Sequence, residues 1–308
     1  MNDQRQPPKP AVLFSLVTLM LVIWTINFIV GKITLRHIPV LTLVSFRLVL
    51  ASIVMTLIYI STPRKTPFDR RDGPLFIVLG IIGVVMNQGG FTYGLNFTTA
   101  GHSSIIIAIA PVIVLILARM VGLETISRRK AIGISLCLIG AIILAAENGF
   151  TAIGSQTLKG DLITLQSVLG YSIFVIMAKR VEHKYDTVTL NFFNFLVAGI
   201  ILLPLAIHEG LRLNWQSVGW TGWLGLAFMS ICSSVIAYLI YYWALRHMEA
   251  SRLAATTYVE PVFVPILSVL LLGEHFTKHL LVGGALVLAG VYITERNLGE
   301  RAVPPEPI

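Results

Sequence analysis

Pro111 and Pro261 stand at matched points in two halves of one chain, and the correspondence runs on for the length of two helices. At an offset of 150 residues, Pro111, Val112 and Val114 recur as Pro261, Val262 and Val264, Glu124 as Glu274, Gly133 as Gly283 and Gly140 as Gly290. Upstream the offset is 147, with Lys32 returning as Lys179, Thr42 as Thr189 and Phe46 as Phe193, and with Trp24 meeting Tyr171. Three residues were therefore gained in a loop. A repeat of half the chain, written in apolar residues and broken by a proline at the same place in each copy, constrains the fold more than any single motif. It is the pattern of membrane carriers built from internal repeats.

Composition names the solvent. The chain is 56% hydrophobic and 12% charged, against about 25% charged in soluble domains. A net charge of +8 could point to nucleic acid, but the basic residues punctuate apolar runs instead of gathering on one face, which is how membrane topology signals look. Cys137 and Cys232 lie inside apolar runs without disulfide or metal-site spacing, and read as small packing residues. No cofactor or metal is implied.

A helix needs roughly 17–25 mainly apolar residues to cross about 30 Å of hydrocarbon. Ten stretches qualify or nearly so: 11–30, 40–60, 75–96, 102–121, 131–146, 161–178, 187–207, 219–242, 253–273 and 280–294. The fifth and tenth are short and are expected to borrow a turn from their flanking loops. Gly31 and Lys32 follow the first without a small-residue cleavage pattern, so it is expected to remain as a helix and not to be a signal peptide. Of the 23 Lys and Arg residues, 17 fall on one side of these spans and five on the other, with Arg47 inside a span. That asymmetry puts both termini in the cytoplasm. With five spans per copy, an odd number, the second copy enters the bilayer from the opposite side. The expected fold is an all-α integral membrane protein of ten transmembrane helices arranged as two inverted five-helix repeats, 11–147 and 160–294. Cytoplasmic tails at 1–10 and 295–308 flank them.

These features together resemble the EamA-type members of the drug/metabolite transporter superfamily over residues 11 to 294. The resemblance rests on Trp24, on Pro39 followed by Arg47, on the paired endings Ala110-Pro111 to Leu123-Glu124 and Glu260-Pro261 to Gly273-Glu274, and on Gly133, Gly140, Gly283 and Gly290. Thr25 and Leu123 depart from the family pattern, which has glycine at both places. The resemblance implies a transporter of the bacterial inner membrane, in which spans one, three, four, six, eight and nine surround a central path.

Pro111 and Pro261 are the candidate kinks or hinges. Glu124 and Glu274 are read as caps for the helices entering spans five and ten, and the glycines of those spans as close-packing positions. Glu260 differs, because its repeat counterpart is Ala110 and symmetry does not require an acid there. It lies about 12 Å into its span by helical rise, where an acid costs at least about 2.5 kcal/mol and faces partners or a wet path. It is the candidate for binding a proton or a substrate amine. Arg47 lies about 10 Å from the opposite surface and serves the fold, snorkels outward or joins the path.

Trp24, Asn27 and Phe28 share a face of span one, and Asn87 and Phe91 share a face of span three. With Tyr171, Tyr238, Tyr258 and Glu260 they are the candidate substrate-binding residues. Asn191 and Asn194 are expected to hydrogen-bond between helices. An amphipathic set lacking a charge cluster suits neutral, zwitterionic or hydrophobic molecules. Export of amino acids or related metabolites comes first, efflux of lipophilic cations second, and a non-transporting receptor or scaffold stands as the alternative class. The chain carries no H-E-x-x-H, no G-x-S-x-G and no phosphate-cradling loop, so an enzyme is not expected. A channel would need carbonyl or charged rings. Expected partners are a small-molecule substrate, the bilayer and, as a candidate coupling ion, the proton. A homodimer is compatible with the sequence, and nucleic acid is not a partner.

Overall fold

The computed structural model describes residues 10–63, 65–120, 127–145, 156–178, 181, 184–247, 253 and 256–295. Among them the regular structure is helical: α1 (Pro10–Leu35), α2 (Val40–Ser61), α3 (73–95), α4 (Ala100–Ile107), α5 (Ala110–Met120), α6 (Arg128–Ala145), α7 (Gln156–Ala178), α8 (Thr187–Arg212), α9 (Trp220–Leu245), α10 (Glu260–Leu272) and α11 (Lys278–Glu295). Seven helical stretches of the described residues are long and apolar enough to cross a bilayer, and Thr257–Leu272 and Lys278–Ile293 are shorter apolar helices. The protein is thus a multi-pass membrane protein. Helices α6 and α11 take in the polar residues Arg128, Arg129 and Lys130 or Lys278 and His279 at their starts, the borrowed turn expected of the two short apolar runs. Leu19, Leu57, Ile200 and Leu270 are among the exposed large apolar side chains, as befits surfaces that meet lipid tails.

Both prolines mark helix breaks, but at helix starts instead of mid-helix kinks. In the first copy the turn at Ala108 and Ile109 separates α4 from α5, and Pro111 is the second residue of α5. In the second copy a 3-10 turn, Thr257–Val259, precedes α10, and Pro261 is its second residue. The physical reason is the one that favours proline at N1 and N2: the missing N–H would be unpartnered there anyway.

A second duplicated irregularity carried no signal that sequence patterning could read. Gly80–Gly89 in α3 and Phe228–Ile236 in α9 are π-helical, at the repeat offset of the upstream half. In the latter, the N–H of Ala237 reaches the carbonyl of Cys232, five residues back, and the Ser234 hydroxyl donates to the carbonyl of Met229 at 2.9 Å. Such widened turns gather at functional sites.

The two copies meet through their own equivalents. A methyl added at Gly283 would stand 2.8 Å from the Gly140 carbonyl oxygen, and one at Gly290 would stand 2.5 Å from that of Gly133. Between them the Cys137 thiol donates to the carbonyl of Val287, its own counterpart, at 3.4 Å. Helices α6 and α11 therefore pack antiparallel, backbone against backbone. In α2 and α8 the same logic recurs, with Ser52 against its counterpart Gly199 and Tyr59 stacked on Phe192 at 4.0 Å between ring centroids. Close approach of small residues is how helices associate where lipid offers no hydrophobic reward.

Glu274 departs from expectation. Its carboxylate accepts from the N–H of Ala100 at 3.0 Å and of Gly101 at 3.4 Å, so it caps α4 and not the helix that follows it. Gly273, left-handed at φ 72°, ends α10 and turns the chain toward that N-terminus, a conformation that costs a side-chain-bearing residue more. Glu124 lies outside the described residues.

At the end of the molecule holding the α2–α3 and α7–α8 connections, the copies are tied by polar contacts. Lys184 bridges Asp69 at 2.9 Å and Asp72 at 2.6 Å. The buried Tyr185 donates to Asp72 at 2.5 Å. Thr66 and Asp186 exchange bonds of 2.9 and 3.0 Å. The Lys184 hydrogen bond, followed by that of Tyr185, holds the Asp72 carboxyl below the usual aspartate range, so this tie stays ionised through ordinary pH.

Substituting Ala for Gly290 is expected to lower stability by about 1–3 kcal/mol through overpacking. Gly73→Ala, whose added methyl would meet nothing nearer than Phe68 at 3.8 Å, should be close to neutral. Thermal midpoints of the two variants in one detergent test this, and equal midpoints would remove the backbone contact between α6 and α11 as a source of stability.

Candidate functional site

Helices α1, α3, α7, α9 and α10 bring six of the eight candidate residues to one region. Trp24 meets Tyr238 edge to face at 5.5 Å between ring centroids. Tyr238 donates its hydroxyl to Asn87 Oδ1 at 3.0 Å, and the Asn87 amide donates to the Ser167 carbonyl at 3.2 Å. Glu260 is buried, with Oε1 unpartnered, and lies within electrostatic reach of both Tyr171 and Tyr238. Tyr258, half-buried in the turn two residues before Glu260, packs against the same apolar cluster as Tyr171. Trp24 is held by its indole N–H, which reaches the Ser233 carbonyl at 3.4 Å, next to the π segment of α9.

Among the described residues, Asn27 and Phe91 share no hydrogen bond or ring contact with this group. Phe91 meets Phe28 edge to face at 5.0 Å in a separate cluster with Leu95, Ala100 and Val264. Asn27, one turn along α1 from Trp24, is buried with its Oδ1 unpartnered. The expected interhelical role holds for Asn194, whose amide reaches the Tyr242 hydroxyl at 3.4 Å. Asn191 instead donates to Thr187 of its own helix at 2.9 Å, because four residues separate a side-chain donor from a carbonyl it can reach along the same turn.

Tyr241 was not among the candidates and stands at the centre. Its ring lies 5.8 Å from Trp24 and 6.2 Å from Tyr171, and its hydroxyl accepts from the Tyr171 hydroxyl at 2.9 Å. Trp24 and Tyr171 are repeat equivalents, so two related aromatics converge on one ring. The signal available in sequence was its place three residues after Tyr238, one helical turn on the same face.

Arg47 does not snorkel. It is 2% exposed and donates to Ser234 at 3.0 Å, Thr92 at 2.9 Å, Ser233 at 3.3 Å and Gln88 at 3.4 Å. These partners are neutral and come from α3 and α9, so the guanidinium ties both π-helical regions to α2. Elsewhere, His102 and Asp161, counted in sequence as ends of spans, form a buried pair at 3.1 Å, with the Thr98 hydroxyl on the other carboxylate oxygen. Among the described residues no group of His, Cys, Asp and Glu is arranged to hold a metal ion.

The fork geometry of Arg47 makes lysine a poor substitute, since one ammonium cannot reach four oxygens on two helices. Arg47→Lys is expected to cost about 2 kcal/mol through lost hydrogen bonds, read as a lower unfolding midpoint in detergent. An unchanged midpoint would mean that these bonds do not hold α3 and α9 to α2.

Comparison with known proteins fits this architecture. Residues 12–146 and 158–296 each match the sequence model of the EamA-like transporter family. An uncharacterized transporter of Archaeoglobus fulgidus is 27% identical over 91% of this chain and 96% of its own. The uncharacterized transporter YetK of Bacillus subtilis is 26% identical over 87% and 82% respectively. A solved crystal structure 15% identical in sequence superposes with a TM-score of 0.64 over 92% of this chain and 97% of that one, which is likeness of fold. With both halves of the sequence matched and the repeats packed through their equivalents, the chain belongs to the EamA-like transporter family.

Proposed function

We propose that the protein is a secondary transporter that exports small amphipathic metabolites, amino acids and their relatives first, across the inner membrane by alternating access. In this reading ten spans form two inverted repeats, 11–147 and 160–294, with both termini in the cytoplasm. The observation that carries it is Glu260. An acid that the repeat does not require is buried with an unpartnered oxygen within electrostatic reach of Tyr171 and Tyr238, and an intramembrane acid of this kind points to a ligand or a proton as its partner. Asn87, Tyr238 and Tyr241 supply amide and hydroxyl groups, and Trp24 and Tyr171 supply ring faces. A small amphiphile can use both.

Efflux of lipophilic cations is a second reading, favoured by the aromatic rings gathered near the acid, since a desolvated cation gains from a ring face as well as from a carboxylate. Resistance to quaternary ammonium compounds without tolerance to amino-acid analogues would reverse the ranking.

If Glu260 couples protons, Glu260→Gln should leave fold and substrate exchange intact while abolishing uphill transport driven by a pH gradient in proteoliposomes. If the variant still concentrates substrate at the wild-type rate, Glu260 has no part in coupling. Topology is tested separately with single cysteines in intact cells. Positions 70 and 128 should resist an impermeant thiol reagent and positions 36 and 159 should react, and strong external labelling at 70 would overturn the inverted arrangement.

A further inference from the structure

Beyond the Glu260 region, the described residues enclose an open cavity of about 210 Å³ lined by Lys32, Leu35, Arg36, Asn96, Leu272 and Glu274. Pockets for drug-sized ligands run roughly 300–1,000 Å³, so its occupant is smaller. The cavity opens at the end of α1, and Lys32 is two helical turns, about 12 Å, beyond Trp24 along that helix. Between the two places lie Phe28 and Phe91, packed with Leu95 and Val264. The cavity and the Glu260 region are therefore two polar stations separated by an apolar partition.

Its charge is not balanced. Lys32 lies in the last turn of α1 and Arg36 is the first residue beyond it, and Lys32 lies within electrostatic reach of Glu274. The Glu274 carboxylate, however, is committed to the backbone N–H groups of Ala100 and Gly101. Arg36 donates weakly, at 3.5 Å, to the carbonyl of Leu272. Among the described residues no carboxylate stands within ion-pair distance of Lys32 or Arg36. Leu35 and Leu272 give the same cavity apolar walls, and Asn96 adds an amide.

Resting on the reading of the chain as a transporter of small metabolites, we infer that this cavity is a second substrate station that binds the carboxylate of a small amphipathic acid or amino acid through Lys32 and Arg36. The apolar part of the molecule lies against Leu35 and Leu272, and the Phe28–Phe91 contact must part for passage between stations. Two cations facing one engaged acid favour an anionic group here, whereas Glu260 favours a cationic one. A zwitterion can thus be held by opposite ends in succession.

The test places a cysteine at Leu35 in the full chain, with Cys137 and Cys232 replaced by alanine, in vesicles of known orientation. Modification rates are measured for an anionic sulfonatoethyl and a cationic trimethylammonioethyl thiosulfonate, each divided by its rate with a free thiol. The anionic reagent should react several-fold faster, and Lys32→Gln or Arg36→Gln should each bring the ratio toward one. The second variant, at an exposed position, serves if the first does not fold. Acetate or leucine should slow modification, and isoamylamine should not. Protection by acetate but not leucine keeps the station and assigns it to simple acids. A ratio of one or below in the unsubstituted background, or protection by the amine alone, overturns the inference. If the charge preference and leucine protection hold while proteoliposomes fail to concentrate amino acids, the station stands and the proposed export falls.

Discussion

A helix in hydrocarbon gains little by burying leucine against leucine, because lipid tails are as apolar as the side chains. Association then depends on how closely two backbones can approach, and among the described residues such close approaches fall at Gly140 with Gly283 and Gly133 with Gly290. Remove that contact and the repeats lose the packing that brings Cys137 to Val287 and holds α6 along α11. The second such contact, α2 along α8, leaves α1, α3, α7, α9 and α10 to surround the polar middle. Helices at the periphery are pinned by fit, and those around the site are joined by hydrogen bonds and rings.

The polar middle is where the packing rule gives way. Arg47 is a buried cation balanced by hydroxyls and an amide, and it crosses to the two stretches where the helices widen into π turns. The widened turns free backbone carbonyls that side chains such as Ser234 then occupy. This region combines widened helices, a cation held by neutral groups and an acid with an unpartnered oxygen, and the proposed transport would draw on all three.

Much of the architecture was legible because membrane helices announce themselves by length and apolarity, and because a duplicated chain states its own alignment. The apolar run at 40–60 became Val40–Ser61 almost unchanged, and the glycines of the fifth and tenth runs met as expected. What local sequence does not carry depends on partners distant in the chain. Nothing local to Glu274 says that it will cap a helix starting at Ala100 in the other repeat. His102 and Asp161 stand at the starts of the runs 102–121 and 161–178, and only folding makes them a pair. Of the candidate residues, residue type and depth single out Trp24, Tyr171, Tyr238 and Glu260, which the fold brings near one another, but not Tyr241, although one helical turn separates it from Tyr238. Phe91 and Asn27 share helix faces with Asn87 and Trp24 but stand a turn along them, since a face is a direction and not a depth.

Ser52 facing its own repeat counterpart Gly199 has a consequence for how the two copies diverged. A residue lying on an axis that relates two copies meets itself, and in an assembly of two identical halves each would present the same side chain to the other. Here a Cβ at 199 would overlap the Ser52 side chain, so one partner had to give up its side chain if the other kept one. The same holds where the Cys137 thiol, larger than a hydrogen and smaller than an isopropyl group, abuts Val287. Within one chain the halves need not be identical, and the asymmetry at 52 and 199 is a form of close packing that a symmetric pair of identical half-length chains could not reach.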